Sequence, residues 1–378
     1  MKKLKILQVN KLYPPVIGGI EQVVRQIAEG LAAETDMKVL VCKQKGKGCV
    51  EKINGVEIHR AGSVGVAFSL PLSLQFFFWF RKLSKDSDVL HIHMPFPLAD
   101  LAALMFKYNG RVVLWWHSDI VRQKYFMWLY RPLMMRALKR ADIILTATEG
   151  HITGSEFLPM FRDKCVVVPF GVKPPSIPPK TDKLGNNDKV ITFLSVGRLI
   201  YYKGYDILLK ALSYVPYAKL VIIGCGPLKK ALYKQAENLK ITDRVVFRGE
   251  VSDDELGEAF NQCDVFVLPS VAKSEAFGLV QIEAMARGKP VINTKLNSGV
   301  PYVSLNGVTG LTVPPGDVNA LASAMNLLAG DADLREKYGQ AAFARVLDKF
   351  SLHNMLEGVM KVYRGEAFEN NRRNHGRW

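Results

Sequence analysis

A chain of 378 residues, 48% apolar and 23% charged, has the composition of a folded globular protein and is too long for one ordinary core, so two domains are expected. Its five cysteines (Cys42, Cys49, Cys165, Cys225, Cys263) are scattered without a C-x-x-C pair, which argues against a disulfide framework or zinc site and for a reducing compartment. The net charge of +16 sits mainly in residues 1–180, where 26 Lys and Arg face 14 Asp and Glu. Such an excess suits an anionic membrane surface or plain solubility. No helix-turn-helix, zinc-finger or RNP-type motif accompanies it, and no nucleic-acid partner is expected.

The opening "MKKLKILQVNKLYPP" lacks a long apolar h-region and a small-residue cleavage site, so it is not read as a signal peptide. "LKILQVN" is an apolar strand, and "IEQVVRQIAEGLAAE" spaces its apolar residues for a helix. "MKVLVCK", "VEIHRA", "DVLHIHM", "RVVLWWH" and "ADIILTAT" are further strands, with helical stretches such as "LADLAALMFKY" among them. From Ala61 to Phe80 the chain carries no charge, a length that could span a bilayer. Its Gly, Ser, Pro and Gln residues make a poor spanning helix, so a loop followed by a partly exposed apolar helix is expected. The stretch from Arg122 to Arg140, "RQKYFMWLYRPLMMRALKR", mixes basic and aromatic residues. It fits either a surface at the lipid headgroups or core helices with basic outer faces.

Residues 171–189 are rich in proline and without apolar period, the composition of a linker. The pattern then restarts with "VITFLSVGRL", "AKLVIIGCG", "RVVFRGEV", "DVFVLPS", "PVINT" and "GLTVPPGD" as strands separated by helical runs. The fold class expected is α/β, with two doubly wound Rossmann-like domains facing across a cleft. Boundaries are placed at 1–172, a linker at 173–188, a second domain at 189–350, and a helix and tail at 351–378 that could pack back on the first domain.

In open parallel sheets, ligands sit beyond the carboxyl ends of the strands. After the first strand, Gly18-Gly19 precedes a helix, so the backbone can approach a ligand or simply turn tightly. This is not G-x-G-x-x-G, which weighs against a dinucleotide enzyme. After "VVLWW" come His117, a candidate site residue, and Asp119, which could cap the next helix. After "TFLSV", Arg198 and Lys203 offer a planar fork and a point charge, a pair suited to a diphosphate. The stretch "SEAFGLVQIEAMARGKPVI" carries Glu275 and Glu283. Glu275 is expected in the loop and the helix to begin near Gly278, leaving the N–H groups of Phe277, Gly278 and Leu279 as an anion pocket. The two acids would then take hydroxyls on either side of that anion. A plain helix start with Ser274 as cap is the alternative.

The E-x7-E stretch with its flanks, together with "YPPVIGGIEQVV", "WWHSDI", "SVGRLIYYKG", "IIGCGPLKKAL" and "GVTGLTVPPGD", resembles the retaining glycosyltransferases of family GT4 over most of the chain. The resemblance implies a GT-B fold, the acceptor held by the first domain, a nucleotide-sugar donor held by the second, and no cofactor or required metal. Asp253-Asp254 is an adjacent pair and not a D-x-D motif. By the same resemblance Arg198 and Lys203 neutralise the leaving diphosphate, Glu283 binds ribose and Glu275 contacts donor-sugar hydroxyls. His117 lies beside the transferred sugar and Gly19 near the phosphates. "NTKLNSGVPYV" lacks an acid where many members carry one, which leaves the donor open. "WWHSDIVRQK" with "SGVPYV" is similar to O-antigen mannosyltransferases. The implied reaction moves a hexose, first from GDP-mannose or a related GDP-sugar, then from UDP-N-acetylglucosamine or UDP-glucose. The implied acceptor is a lipid-linked glycan at the cytoplasmic membrane face. An idle sugar-nucleotide-binding scaffold and a non-hydrolysing epimerase are the competing readings.

Overall fold

The computed structural model describes residues 3–16, 18–67, 70–119, 124–175 and 190–366, the side chains of 124–127 excepted. Most of the expected linker (176–188) and the tail from 367 onward lie outside the described residues. The described chain divides into two compact units, one of residues up to Phe170 with those from His353 onward, the other Gly171–Leu352.

The strands of the first unit are β1 (Leu4–Val9), β2 (Thr35–Cys42), β3 (Cys49–Ile53), β4 (Val56–Ala61), β5 (Val66–Ala67), β6 (Leu70–Pro71), β7 (Val89–Met94), β8 (Arg111–Trp116), β9 (Ile143–Thr146) and β10 (Cys165–Val167). One sheet runs β10-β9-β8-β7-β1-β2-β4-β3, and β5 pairs with β6. Every pairing in the large sheet is parallel except β3 against β4. All six residues of β7 are buried, as a parallel strand covered on both faces requires.

Its helices are α1 (Gly19–Leu31), α2 (Leu74–Lys85), α3 (Pro97–Met105), α4 (Lys124–Arg140) and α5 (Glu149–Thr153). α1 buries Val23, Val24, Ile27, Ala28 and Leu31, one stripe at helical spacing. Burying each of its Val, Ile or Leu side chains contributes about 1.5–3 kcal/mol. The uncharged run Ala61–Phe80 becomes the β5–β6 pair and the start of α2. Ser73 caps this helix by accepting from the Phe76 amide at 3.1 Å. Phe76 and Phe80 enter the core, while Leu74 and Phe78 stand 80% and 74% exposed. Among the described residues no helix is long and apolar enough to cross a membrane.

The second unit has β11 (Ile191–Val196), β12 (Ala218–Ile223), β13 (Val245–Gly249), β14 (Val265–Val267), β15 (Val291–Thr294) and β16 (Gly310–Val313). They form one parallel sheet in the order β13-β12-β11-β14-β15-β16. Its helices are α6 (Tyr205–Ser213), α7 (Lys229–Asn238), α8 (Asp253–Gln262), α9 (Leu279–Met285), α10 (Val300–Val303), α11 (Val318–Gly330) and α12 (Ala332–Lys349).

The last helix, α13 (Leu352–Arg364), returns to the first unit. Leu356 fills the space a side chain on Gly30 would need, and Gly358 lets the helix close on Val168. Near its end, Tyr363 hydroxyl lies 2.6 Å from His91 Nδ1, and Arg111 donates to the Val362 and Tyr363 carbonyls.

Strand order reverses direction beside β1 in the first sheet and beside β11 in the second. At such a switch point the loops leaving two adjacent strands diverge and open a crevice at their carboxyl ends. In the second unit those are the loops after β11 and β14.

Candidate active site

The loop after β11 carries Arg198 and Lys203, and the loop after β14 carries Glu275. Gly204, in the left-handed region at φ +69, lets the first loop press against the second. A Cβ there would stand 2.1 Å from the Pro269 carbonyl oxygen. The Val271 amide donates to the Tyr202 carbonyl at 2.8 Å, and Thr294 Oγ1 donates to the Ser270 carbonyl at 2.6 Å. The Gly299 amide donates to the Ala276 carbonyl at 2.7 Å, which adds the loop after β15.

Within this frame Lys203 Nζ lies 2.6 Å from Glu275 Oε2, their side chains only 12% and 10% exposed. Ser270 Oγ donates to the same oxygen at 2.9 Å. Oε1 of Glu275 accepts from no described residue, and an ammonium carries three N–H donors, so both groups keep capacity for a ligand. Arg198 is exposed and its guanidinium has no partner among the described residues. It acts electrostatically on Tyr202 together with Lys203 and Glu275, which gathers the three charges around one ring; burial is the main cause that pushes that phenol up. A buried Lys203–Glu275 pair with the exposed Arg198 on the same loop can hold an anionic group next to a polyhydroxylated one.

α9 begins at Leu279 after Gly278, whose φ is +72. Ser274 therefore does not cap it. The backbone N–H groups of Gly278 and Leu279 donate to no described residue. Phe277 is buried and its ring meets Phe350 edge-on, so its side chain is core rather than pocket lining. Glu283, one turn into α9, has no hydrogen-bond or ion-pair partner for its carboxylate among the described residues. Burial pushes its pKa up to about 7, with Arg287 pulling it down and Asp253 adding to the rise. The structure thus joins Lys203 and Glu275 directly and Arg198 electrostatically, whereas Glu283 keeps a separate neighbourhood of Arg287 and Asp253.

In the first unit, Gly18 precedes α1 in an extended conformation that any residue adopts. Its particular value is space: a Cβ would stand 2.1 Å from Glu21 Oε2, so the Glu21 carboxylate lies over the Gly18-Gly19 turn. His117 follows β8 and is 5% exposed. Its Nε2 lies 2.9 Å from His93 Nδ1, and His93 Nε2 lies 2.8 Å from Gln8 Nε2. His91, His93, Trp115, His117 and Phe170 stack as a row on one face of the sheet. Burial, reinforced by the other imidazoles, lowers the pKa of His117 to about 3 and of His93 well below the usual value.

The expected cap at Asp119 depends on residues 120–123, which lie outside the described residues. The Asp119 carboxylate accepts from Trp116 Nε1 at 3.1 Å, Ser155 Oγ at 2.8 Å and the Glu156 amide at 3.0 Å. Two of those donors, Ser155 and Glu156, lie far along the sequence.

Sequence reasoning also missed Ser270, which orients Glu275, and the partners of His117. The alternation His91-Ile92-His93 within an apolar strand was the available signal, since a period of two sends both imidazoles to one face. Among the described residues no three His, Cys, Asp or Glu side chains are grouped to hold a metal ion.

Residues 176–345 match the family described as glycosyl transferases group 1, and residues 18–171 match a glycosyl transferase 4-like domain. The chain is 32% identical over 369 residues to the O-antigen chain mannosyltransferase C of Escherichia coli, covering 95% of this chain and 98% of that protein. It is 35% identical over 354 residues to the D-rhamnosyltransferase WbpZ of Pseudomonas aeruginosa, covering 92% of each. In structure it is similar to Anabaena Alr3699/HepE in complex with UDP-glucose, with a TM-score of 0.76 at 20% identity over 96% of this chain and all of that one.

Proposed function

The chain belongs to the glycosyl transferases group 1 family, and from that membership we propose that this glycosyltransferase moves a hexose from a nucleotide-diphosphate sugar to a lipid-linked glycan in O-antigen or related surface polysaccharide synthesis, with retention at the anomeric carbon. GDP-mannose or a related GDP-deoxyhexose is the first donor, in keeping with the mannosyl and rhamnosyl names of the two relatives. UDP-N-acetylglucosamine and UDP-glucose come next.

The observation that carries the reading is the Lys203–Glu275 pair, with Arg198 free of partners among the described residues, at the switch point of the second sheet. Arg198 and Lys203 take the diphosphate, Glu275 Oε1 accepts from sugar hydroxyls, and Glu283 accepts from the ribose hydroxyls. The N–H groups of Gly278 and Leu279 add donors for the phosphates; in the first unit, taken by itself, His117 and Gly19 are the residues proposed to meet substrate. In the reaction the bond from anomeric carbon to phosphate oxygen breaks as the bond to the acceptor oxygen forms on the same face. The acceptor proton passes to the departing phosphate. Positive charge from Lys203 and Arg198 at that phosphate lowers the barrier, and no metal is required for it.

Membrane attachment at the cytoplasmic face is part of the proposal. Leu74 and Phe78 on α2, Met105 on α3 and Trp128 and Leu129 on α4 are exposed, and α2 and α4 also carry the exposed cations Arg81, Lys82 and Arg131.

The test is a donor screen with purified protein and a lipid-linked acceptor, read as nucleoside diphosphate release and sugar transfer. One GDP- or UDP-sugar is expected to be used, and Arg198→Ala to cost at least ~10²-fold in turnover. Absence of transfer from every donor, or an unaffected Arg198→Ala rate, rejects the reading. Conversion of donor sugar without acceptor identifies an epimerase instead.

A further inference from the structure

The buried face of the first sheet carries a directional hydrogen-bond row. Gln8 on β1 and His93 on β7 are wholly or nearly wholly buried, and His117 follows β8. With the Gln8 amide placed so that Nε2 faces His93 Nε2 at 2.8 Å and Oε1 has no partner among the described residues, the nitrogen, which only donates, makes His93 Nε2 an acceptor. A neutral imidazole carries one proton, which then resides on His93 Nδ1. That atom lies 2.9 Å from His117 Nε2 and donates to it. The remaining ring proton of His117 is therefore on Nδ1, and no described residue accepts it. Stacking of His91 and Trp115 on His93, with centroids 4.5 and 5.9 Å away, holds the middle ring in plane. The depressed pKa values of His93 and His117 are consistent with single protonation of each ring.

We propose that Gln8 and His93 are positioning residues that fix the ring proton of His117 on Nδ1, so that His117 meets a substrate oxygen as an uncharged hydrogen-bond donor. This rests on the reading of His117 as a residue that touches substrate. An unconstrained imidazole would divide between two tautomers, only one of which donates from Nδ1. A neutral donor also adds no charge beside the oxygen it meets.

The experiment is NMR of the full chain with isotope-labelled histidine, paired with steady-state kinetics on the donor found in the screen. Wild-type His117 is expected in the Nδ1–H form. Gln8→Met keeps the volume and removes the donor, so an Nε2–H population of His117 should appear. With it kcat should fall roughly two- to tenfold, the cost of one lost hydrogen bond, with KM little changed. His93→Phe, which keeps a stacked ring, should act the same way and serves if Gln8→Met does not fold. A wild-type Nε2–H form of His117 overturns the proposal, as does an unchanged tautomer and kcat in a folded variant. Unchanged turnover in His117→Ala overturns the catalytic reading of His117 and the positioning role with it, whatever the tautomer.

Discussion

Replacing Glu283 by Gln should make the ligand-free protein more stable and a poorer donor binder, but only where the carboxylate would be charged. The residue is partly accessible yet has no ion-pair partner among the described residues, and its pKa rises from 4.5 to about 7 because burial disfavours the anion. For an acid so raised, the folded state holds its proton more tightly than the unfolded chain. Stability is therefore full below the unfolded value, falls as pH rises towards 7, and is flat above it. At 1.36 kcal/mol per pKa unit the full cost of the anion is ~3 kcal/mol, and water reaching the carboxylate reduces it to about 1–2 kcal/mol. Gln is neutral throughout and escapes that cost. Thermal unfolding at about pH 8.5 should show Glu283→Gln melting a few degrees higher, and at about pH 4, below the unfolded value, the difference should nearly vanish. Nucleoside diphosphate should raise the melting temperature less in the variant at the higher pH, because an amide offers a ribose one acceptor oxygen instead of two. An equal gap at both pH values, or a variant stabilised only in acid, would refute the burial argument.

Other perturbations separate architecture from chemistry. Lys203→Ala leaves the Glu275 carboxylate with Ser270 as its one described partner, so chemical denaturation should show a loss of at least about 1 kcal/mol. Adding Glu275→Gln should recover stability but not turnover. Gly278→Ala forces a side chain into φ +72 and to 2.5 Å from Leu268, which should cost about 2 kcal/mol in the same assay. The histidines invert the Glu283 argument. His91 and His117, both lowered to about 3 by burial, bind protons more tightly when unfolded. Stability should fall as pH drops below the ordinary 6.5, and His91→Phe should flatten that slope; a slope unchanged in the variant counts against it.

The alternation of apolar strands and amphipathic helices, and its restart after the proline-rich stretch, was readable because it depends on spacing within a few residues. The same local logic placed Glu275 in the loop after β14 and started α9 close to Gly278, where a glycine in the left-handed region ends the loop. A period of two likewise put His91 and His93 on one face, although their significance went unread. Sequence alone thus determined most of the strands and helices, though not β3, β5 or β6, and which charged residues follow which strand. Strand order was decided only in three dimensions, because a parallel strand buried on both faces reads the same whichever neighbours it pairs with. That order brings Lys203 onto Glu275, hands Asp119 to Trp116 and Ser155, and lines up Gln8, His93 and His117. It also decided that α13 rests on the first unit, where Gly30 and Gly358 allow close approach. Local pattern selects an element through its nearest neighbours along the chain, whereas a site is assembled from contacts whose partners no local period can name.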